Sequence, residues 1–224
     1  MKLFCLHCAG GSSSLFKGWK FKDIETIAID LPGRGNNMNL PMLENFDETL
    51  FFVKDIIETQ LVNDEPWILF GHSMGGYIAY EVERAIDKKP SLLILSGMNF
   101  PDEPICLSIM DDSDEDFMAK LSLLGGIPSN IKDIQLFADW FAPLIKNDLH
   151  ILETYVFRHN NEIVDTSTVL INSVNDPLIS KNVSKWKYFT NNFYNINIEG
   201  GHFSVYKEKK LIFSTIQKNR ITKI

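Results

Sequence analysis

A serine near the first third of the chain lies in the spacing G-x-S-x-G, as Gly71-His72-Ser73-Met74-Gly75. A short apolar run, 67–70, precedes it, and apolar residues at helical spacing follow it. A strand, this pentapeptide and a helix in succession are typical of a nucleophile elbow, a strained turn that holds the serine above the end of a sheet. We predict that Ser73 is a nucleophile and that glycines at 71 and 75 avoid collisions with the strand and the helix. An ordinary Gly-Ser turn is the alternative.

A serine hydroxyl is a weak nucleophile until a base takes its proton and an acid orients that base. His202 is the candidate base, because it follows the predicted last strand through two glycines that let the chain turn over the sheet edge. Asp176 is the candidate acid, since it follows the preceding predicted strand and stands before Pro177. The order Ser73, Asp176, His202 is the order of α/β-hydrolase triads. A loop histidine and a turn aspartate are the alternatives.

The other four histidines are weaker candidates for the base. His72 lies inside the elbow, where its side chain is expected to point away from the serine. His150 and His159 lie in or near a region without predicted strands, and we assign them to the surface or to a lid. His7 ends the first predicted strand and could contact a substrate, but its place does not suit a base.

Backbone N–H groups are expected to stabilise the oxyanion that forms when a carbonyl is attacked. One donor should be Met74, the residue after the nucleophile. The other should come from the loop after the first predicted strand, at Ala9 or Gly10, where small residues let the backbone approach a substrate closely.

Alternating strands and helices must position these residues. Apolar runs predict strands at 2–8, 24–31, 67–70, 91–96, 168–174 and 192–198. Helical spacing predicts helices near 15–19, at 46–61, from 77 onward and at 205–216. The alternation indicates an α/β fold with a mostly parallel, doubly wound sheet. Because no linker or internal repeat interrupts residues 1–224, we predict a single domain.

The interval between the fourth and fifth predicted strands, about residues 100–160, shows no strand pattern. Within its acidic run, 111–116, Ser113 and Asp116 have the spacing of a capping box, which predicts the start of a helix. A second helical stretch follows, with an interruption expected near Pro143. We interpret this insert as a helical lid above the sheet edge, and extra packing is the alternative. The acidic run is taken as a solvated helix start rather than as a metal or partner site.

Composition excludes several classes of protein. The 224 residues carry a formal net charge of −7, which argues against non-specific binding to nucleic acid or to anionic membranes. No apolar run is long enough to span a bilayer, and the first residues lack a signal-peptide pattern. A cytoplasmic location is therefore expected.

Cys5 and Cys8 form the pattern C-x-x-C, which could indicate zinc or redox chemistry. Such a site needs a second ligand pair or a thioredoxin-like helix start, and neither follows in the sequence. We therefore expect no metal and no cofactor, and no disulfide framework among the three cysteines. Cys5 should point into the sheet core, whereas the reactivity of Cys8 stays open.

Further blocks along the chain complete a family pattern together with the elbow. In order they are Cys8-Ala9-Gly10-Gly11-Ser12, Leu15-Phe16-Lys17-Gly18-Trp19, Leu31-Pro32-Gly33-Arg34-Gly35, Leu124-Gly125-Gly126-Ile127-Pro128, Asp176-Pro177-Leu178 with Trp186, and Gly200-Gly201-His202-Phe203. The set resembles the type II thioesterases, the stand-alone editing enzymes of non-ribosomal peptide and polyketide assembly lines. It is also similar to the medium-chain acyl-carrier thioesterase of animal fatty acid synthesis.

The resemblance covers nearly the whole chain and implies an α/β-hydrolase fold that lacks the first strands of larger members of that superfamily. It departs from the usual family pattern at His7 and Cys8, and at Ser173-Val174-Asn175 before the acid. Both departures leave the predicted triad intact and concern the details of the acyl pocket.

The resemblance implies a serine thioesterase that hydrolyses acyl or aminoacyl thioesters on the phosphopantetheine arm of carrier domains, and so clears stalled or mis-primed groups. A monomer is expected, although the sequence does not determine the oligomeric state. Carrier domains are often acidic, so docking would need a basic patch; Lys17, Lys20, Lys22 and Arg34 are candidates, with solvated surface side chains as the alternative. The competing functions are a small-molecule carboxylesterase or lipase, a medium-chain acyl-carrier thioesterase and, from another class, a non-catalytic binding module.

Overall fold

Six parallel strands form the sheet on which the candidate site is built. The computed structural model describes residues 1–61, 65–107, 113–127, 134–158 and 163–221. Within these ranges the strands are β1 (Lys2–Leu6), β2 (Glu25–Ile29), β3 (Trp67–His72), β4 (Leu92–Ser96), β5 (Thr168–Ser173) and β6 (Phe193–Ile198). They lie in the order β2-β1-β3-β4-β5-β6, and every neighbouring pair is parallel. The predicted parallel α/β sheet is confirmed, and each of these strands overlaps a predicted one.

The strand order reverses between β1 and β3, which are neighbours although β2 lies between them in the sequence. In an open α/β sheet, the crevice outside the carboxyl ends of the strands at such a switch point is the usual place for a ligand. The loop after β1 begins at His7, and the turn after β3 begins at Ser73. The topology therefore brings the predicted oxyanion loop and the predicted nucleophile to one crevice.

Alternate residues of the strands face two different cores. Phe4 and Leu69 belong to the core on the side of α1 (Phe46–Gln60) and α2 (Met74–Ala85). Leu3 and Ile68 belong to the core on the side of α5 (Lys209–Ile221). Because both faces are covered, the central strands β1, β3 and β4 read as largely apolar runs, and the sheet is doubly wound as predicted.

Two helices, α3 (Asp114–Leu123) and α4 (Ile134–Glu153), lie in the described part of the insert between β4 and β5, where no strand occurs. They share a small core of their own, whose buried members are Phe117, Met118, Leu121, Ala142, Ile145 and Leu149. Ala9, in the loop after β1, packs against this core, so the insert lies directly over the candidate site.

The predicted helix start at Ser113 is confirmed, because its side chain accepts a hydrogen bond from the backbone N–H of Asp116 and donates one to the Asp116 carboxylate at 2.8 Å. Asp111, Asp112 and His159 lie outside the described residues. No helix in the described ranges has the length and hydropathy needed to cross a membrane.

Three predicted helix boundaries were wrong. Helix α4 runs through Pro143 without a break, because the buried face formed by Ala142, Ile145 and Leu149 keeps it packed on both sides of the proline. The last helix begins at Lys209, since residues 202–207 form a 3₁₀ helix that presents His202 to the sheet edge. The helix predicted near 15–19 is a 3₁₀ turn, Ser13–Phe16.

Candidate active site

Ser73 occupies the sharp turn between β3 and α2, with φ 55° and ψ −121°, a backbone conformation that costs free energy in any residue but glycine. A side chain at Gly71 would overlap the backbone oxygen of Gly75. A Cβ atom at Gly75 would lie 2.5 Å from the carbonyl oxygens of both Leu6 and His7. The elbow geometry predicted from the sequence is therefore confirmed, and the two glycines are required by close backbone approach.

Asp176 and His202 meet in a buried hydrogen bond at the carboxyl ends of the last two strands. The Nδ1–H of His202 donates to Oδ2 of Asp176 over 2.7 Å, and both side chains are almost fully buried. The other carboxylate oxygen of Asp176 accepts from the backbone N–H of Leu178 at 2.9 Å, which fixes the carboxylate plane. Since Nδ1 carries the proton, Nε2 of His202 keeps the lone pair that a general base needs.

The imidazole of His202 also lies against the elbow. Its ring centroid is 4.8 Å from that of His72, the residue before Ser73. A Cβ atom on Gly97, just after β4, would come within 3.2 Å of His202 and closer still to His72. The base candidate is thus packed beside the turn that carries the nucleophile candidate.

His72 is not placed to act as the base, as expected from the sequence. It is fully buried, and its Nδ1 lies 3.2 Å from the hydroxyl of Ser96. Burial, and then the proximity of His202, hold the pKa of His72 well below its usual value, so this imidazole is neutral near pH 7. A neutral ring can pack against His202 without opposing the positive charge that the proposed base acquires.

Two further histidines, His7 and His150, lie within the described residues. His7 is buried, its Nδ1–H donates to the carbonyl oxygen of Cys8 at 2.8 Å, and burial lowers its pKa. This inward position does not favour the substrate contact that we considered for it. His150 lies exposed on α4, within 4.0 Å of Glu153.

The candidate oxyanion donors differ in their availability. Met74 is the first residue of α2, where backbone N–H groups have no partner within the helix. The N–H of Gly10, by contrast, donates to Oδ2 of Asp148 on α4 at 2.7 Å. The prediction for Gly10 was wrong because its donor is already used, and Ala9 is the remaining candidate in this loop.

Arg34 is not part of a basic docking surface, so that prediction was also wrong. Its side chain is 4% exposed and forms an ion pair with Asp148, which is fully buried. Lys17, Lys20 and Lys22 are exposed as expected. The sequence could not indicate Asp148, because its partners lie more than a hundred residues away in the chain.

The C-x-x-C pair does not form a reactive site. Cys5 is buried in the core on the α5 side, as predicted. Burial raises the pKa of Cys8 to about 11, so its thiol stays protonated near pH 7. Among the described residues, no group of three or more His, Cys, Asp or Glu side chains is placed to hold a metal ion.

Comparison with known proteins agrees with this geometry. The sequence model of the family described as "Thioesterase domain" matches residues 1–219. The gramicidin S biosynthesis protein GrsT of Aneurinibacillus migulanus is 28% identical over 219 residues, which are 93% of this chain and 84% of GrsT. The medium-chain S-acyl fatty acid synthase thioesterase of Homo sapiens is 27% identical over 213 residues, 90% of this chain and 80% of that protein.

The same fold occurs in solved structures. The crystal structure of ClbQ from the colibactin NRPS/PKS pathway superposes with a TM-score of 0.88 at 24% identity, over 99% of this chain and 98% of ClbQ. At this identity the likeness bears on the fold, and it shows that the sheet and the helices described above form one known arrangement.

Proposed function

The chain belongs to the thioesterase domain family, which hydrolyses thioesters, and we propose that it is a serine thioesterase that acts on acyl or aminoacyl groups carried by the phosphopantetheine arm of carrier domains. Its role would be to clear stalled or mis-primed groups from a non-ribosomal peptide or polyketide synthase. The observation that carries the catalytic part of this proposal is the buried Asp176–His202 hydrogen bond of 2.7 Å beside the strained Ser73 turn.

The proposed reaction begins when the Ser73 hydroxyl attacks the thioester carbonyl while Nε2 of His202 accepts its proton. The N–H groups of Met74 and Ala9 would stabilise the oxyanion, and Asp176 would stabilise the imidazolium and keep the ring in the correct tautomer. Collapse of the tetrahedral intermediate breaks the C–S bond, and His202 returns the proton to the leaving thiolate. An acyl-serine ester remains.

Water completes the cycle. His202 takes a proton from a water molecule, whose oxygen attacks the acyl-serine carbonyl, and the second tetrahedral intermediate collapses with the proton passing to the serine oxygen. The products are a carboxylic acid, a free thiol on the carrier arm and regenerated Ser73. Each step uses protein groups and water alone, so the proposal includes no cofactor and no metal.

The relatives support a carrier-bound substrate. GrsT is named as a biosynthesis protein for gramicidin S, and ClbQ comes from an NRPS/PKS pathway. The human relative is named as an S-acyl fatty acid synthase thioesterase, which supports a medium acyl chain as a second candidate substrate. In both cases the partner would be a carrier domain of a synthase.

The test is the release of acyl groups from a loaded carrier domain. A phosphopantetheine carrier charged with acetyl, aminoacyl or octanoyl groups is incubated with the protein, and the free thiol is followed by mass spectrometry. Release by the wild type and not by Ser73→Ala supports the proposal, and the chain-length profile separates editing from medium-chain release. Good turnover of small oxygen esters without carrier release would favour a carboxylesterase instead.

A further inference from the structure

A buried ion pair joins the insert to the loop after β2. The guanidinium of Arg34 contacts the carboxylate of Asp148 through both of its terminal nitrogens, with Nη1 2.5 Å from Oδ2 and Nη2 2.6 Å from Oδ1. The side chains are 4% and 0% exposed. Such a pair is a weak source of stability, because removing two charges from water costs about as much as their attraction returns. Stability alone therefore does not account for this buried pair.

The same two side chains hold the loop after β1. Oδ2 of Asp148 accepts the backbone N–H of Gly10 at 2.7 Å, and Nη1 of Arg34 donates to the carbonyl oxygen of Gly11 at 3.3 Å. Gly10 adopts φ 69°, and helix α4 lies so close that a Cβ atom there would overlap the side chain of Ile145. The backbone at 10 and 11 is therefore fixed from two sides by charged side chains and by packing.

This fixation extends to Ala9 from both sides. The peptide unit that carries the Gly10 N–H, held by Asp148, also contains the carbonyl carbon of Ala9. The Ala9 N–H lies in the preceding peptide unit, whose Cys8 carbonyl oxygen accepts from the N–H of Gly11 at 3.0 Å and from the Nδ1–H of His7 at 2.8 Å. Because the peptide units on either side of Ala9 are held, few orientations remain for its N–H. Charge-assisted hydrogen bonds are about twice as strong as neutral ones, so a carboxylate suits this task better than an amide.

We propose that Arg34 and Asp148 are positioning residues of the oxyanion hole, and that helix α4 is thereby part of the catalytic machinery rather than only a cover. The inference rests on the proposed function in one respect, the assignment of Ala9 as an oxyanion donor. Arg34 holds Asp148, Asp148 holds the Gly10 N–H, and the loop presents the Ala9 N–H to the crevice beside Ser73. The packing of the insert over the site and the stabilisation of the transition state then both depend on the Asp148 carboxylate.

Asp148→Asn tests the first link. The amide offers one acceptor where the carboxylate serves three N–H donors, so the Gly10 bond weakens and the Arg34 charge loses its partner. We expect kcat to fall by about 10²-fold with little change in KM, because the lost interaction acts on the oxyanion and not on the bound substrate. Substrate is a simple acyl-N-acetylcysteamine thioester, and kcat is expressed per active site titrated with a fluorophosphonate, so that unfolded protein does not contribute.

A second variant separates positioning from stability. In the double variant Arg34→Met with Asp148→Leu, an apolar pair replaces the charges, and such replacements are often neutral or stabilising. We expect the double variant to unfold at or above the temperature of Asp148→Asn while its kcat stays about 10²-fold low. The matched control is Glu81→Gln, which removes a carboxylate from the Arg84 ion pair, with side-chain exposures of 12% and 8%, on the far part of α2. It should lose stability and keep kcat.

Inhibition by an acyl trifluoromethyl ketone supplies a readout independent of thioester turnover, since its adduct with serine places an oxyanion in the hole. We expect its inhibition constant to rise for Asp148→Asn and the double variant by the factor lost in kcat/KM. A normal kcat per site in either variant, or an equal loss in Glu81→Gln, would overturn the inference. If the wild type binds the ketone but hydrolyses no thioester, the proposed function fails, and the inhibition constants still decide the role of Asp148.

Discussion

Gly75→Ala is the change that most directly tests how the elbow is built. The glycine lies in the first turn of α2, where the helix crosses the end of β1. A Cβ atom there would lie 2.5 Å from the carbonyl oxygens of Leu6 and His7, and 2.7 Å from the carbonyl carbon of Leu6. All three atoms belong to the backbone, so no side-chain rotation can relieve the overlap.

The size of the effect follows from these distances. Ordinary contact begins near 3.4 Å, so α2 and the end of β1 must separate by about 1 Å. Inserting a methylene into a packed core costs typically about 1–3 kcal/mol, which corresponds to a loss of roughly 2–12 °C in Tm for a chain of this size. A displacement of about 1 Å in a catalytic group can cost 10²-fold in rate. Because Met74 and Ala9, the proposed oxyanion donors, lie on opposite sides of this contact, we expect kcat to fall by about that factor.

The assay compares Tm by differential scanning calorimetry and kcat per titrated serine for the wild type, Gly75→Ala and Gly18→Ala. Gly18 is the matched control, because a Cβ atom there meets nothing within 4 Å and its φ is not in the positive range. The Gly18→Ala protein should keep the Tm and the kcat of the wild type. A Gly75→Ala protein with unchanged Tm and full kcat would refute the claim that the close approach of the two backbones requires glycine at this position.

Three other outcomes are expected. Asp176→Asn should lower kcat by about 10³–10⁴-fold in the thioester assay, because the imidazole of His202 then loses its orientation; a loss below tenfold would count against the triad. The depressed pKa of His72 gives stability that is complete well above pH 6.5 and is lost as the pH falls toward the folded-state pKa. The free energy of urea unfolding of the wild type should therefore depend on pH more steeply than that of His72→Asn, by about 0.7 kcal/mol per unit at pH 6.5 and by up to about 1.4 kcal/mol per unit from a unit lower, and equal slopes would contradict this. Iodoacetamide at pH 7.5 should modify the exposed Cys106 well before Cys8, as peptide mass spectrometry would show, and the reverse order would disprove a protonated, buried Cys8.

The sequence predicts well those features that depend on local patterns of residues. The central strands β1, β3 and β4 are buried on both faces, so each reads as an apolar run whose position is clear, and the elbow follows β3 directly. The pairing of Asp176 with His202 could be expected because carboxyl ends of parallel strands meet at one edge, and β5 and β6 are neighbours in both sequence and sheet. For this pair of strands, the order along the chain is also the order in the sheet.

The features that the sequence does not predict depend on contacts between distant segments. Arg34 in the turn after β2 looks like a surface cation, and only the fold shows that Asp148 of the insert buries it. The same contact removes Gly10 from the set of oxyanion donors, although Gly10 and Ala9 are equally small and adjacent. Helix α4 passes Pro143 because packing outweighs the local cost of the proline. No local pattern in the chain encodes these three outcomes.

The position of β6 at the border of the sheet has a consequence for heat inactivation. Ser73 follows β3, which is held by a strand on either side, whereas His202 follows β6, which among the described strands is hydrogen-bonded only to β5. A strand with one neighbour opens at lower free energy than one in the middle of a sheet. Warming is therefore expected to displace the imidazole of His202 first and to leave an inactive protein in which Ser73, the proposed nucleophile, and the central strands are still folded.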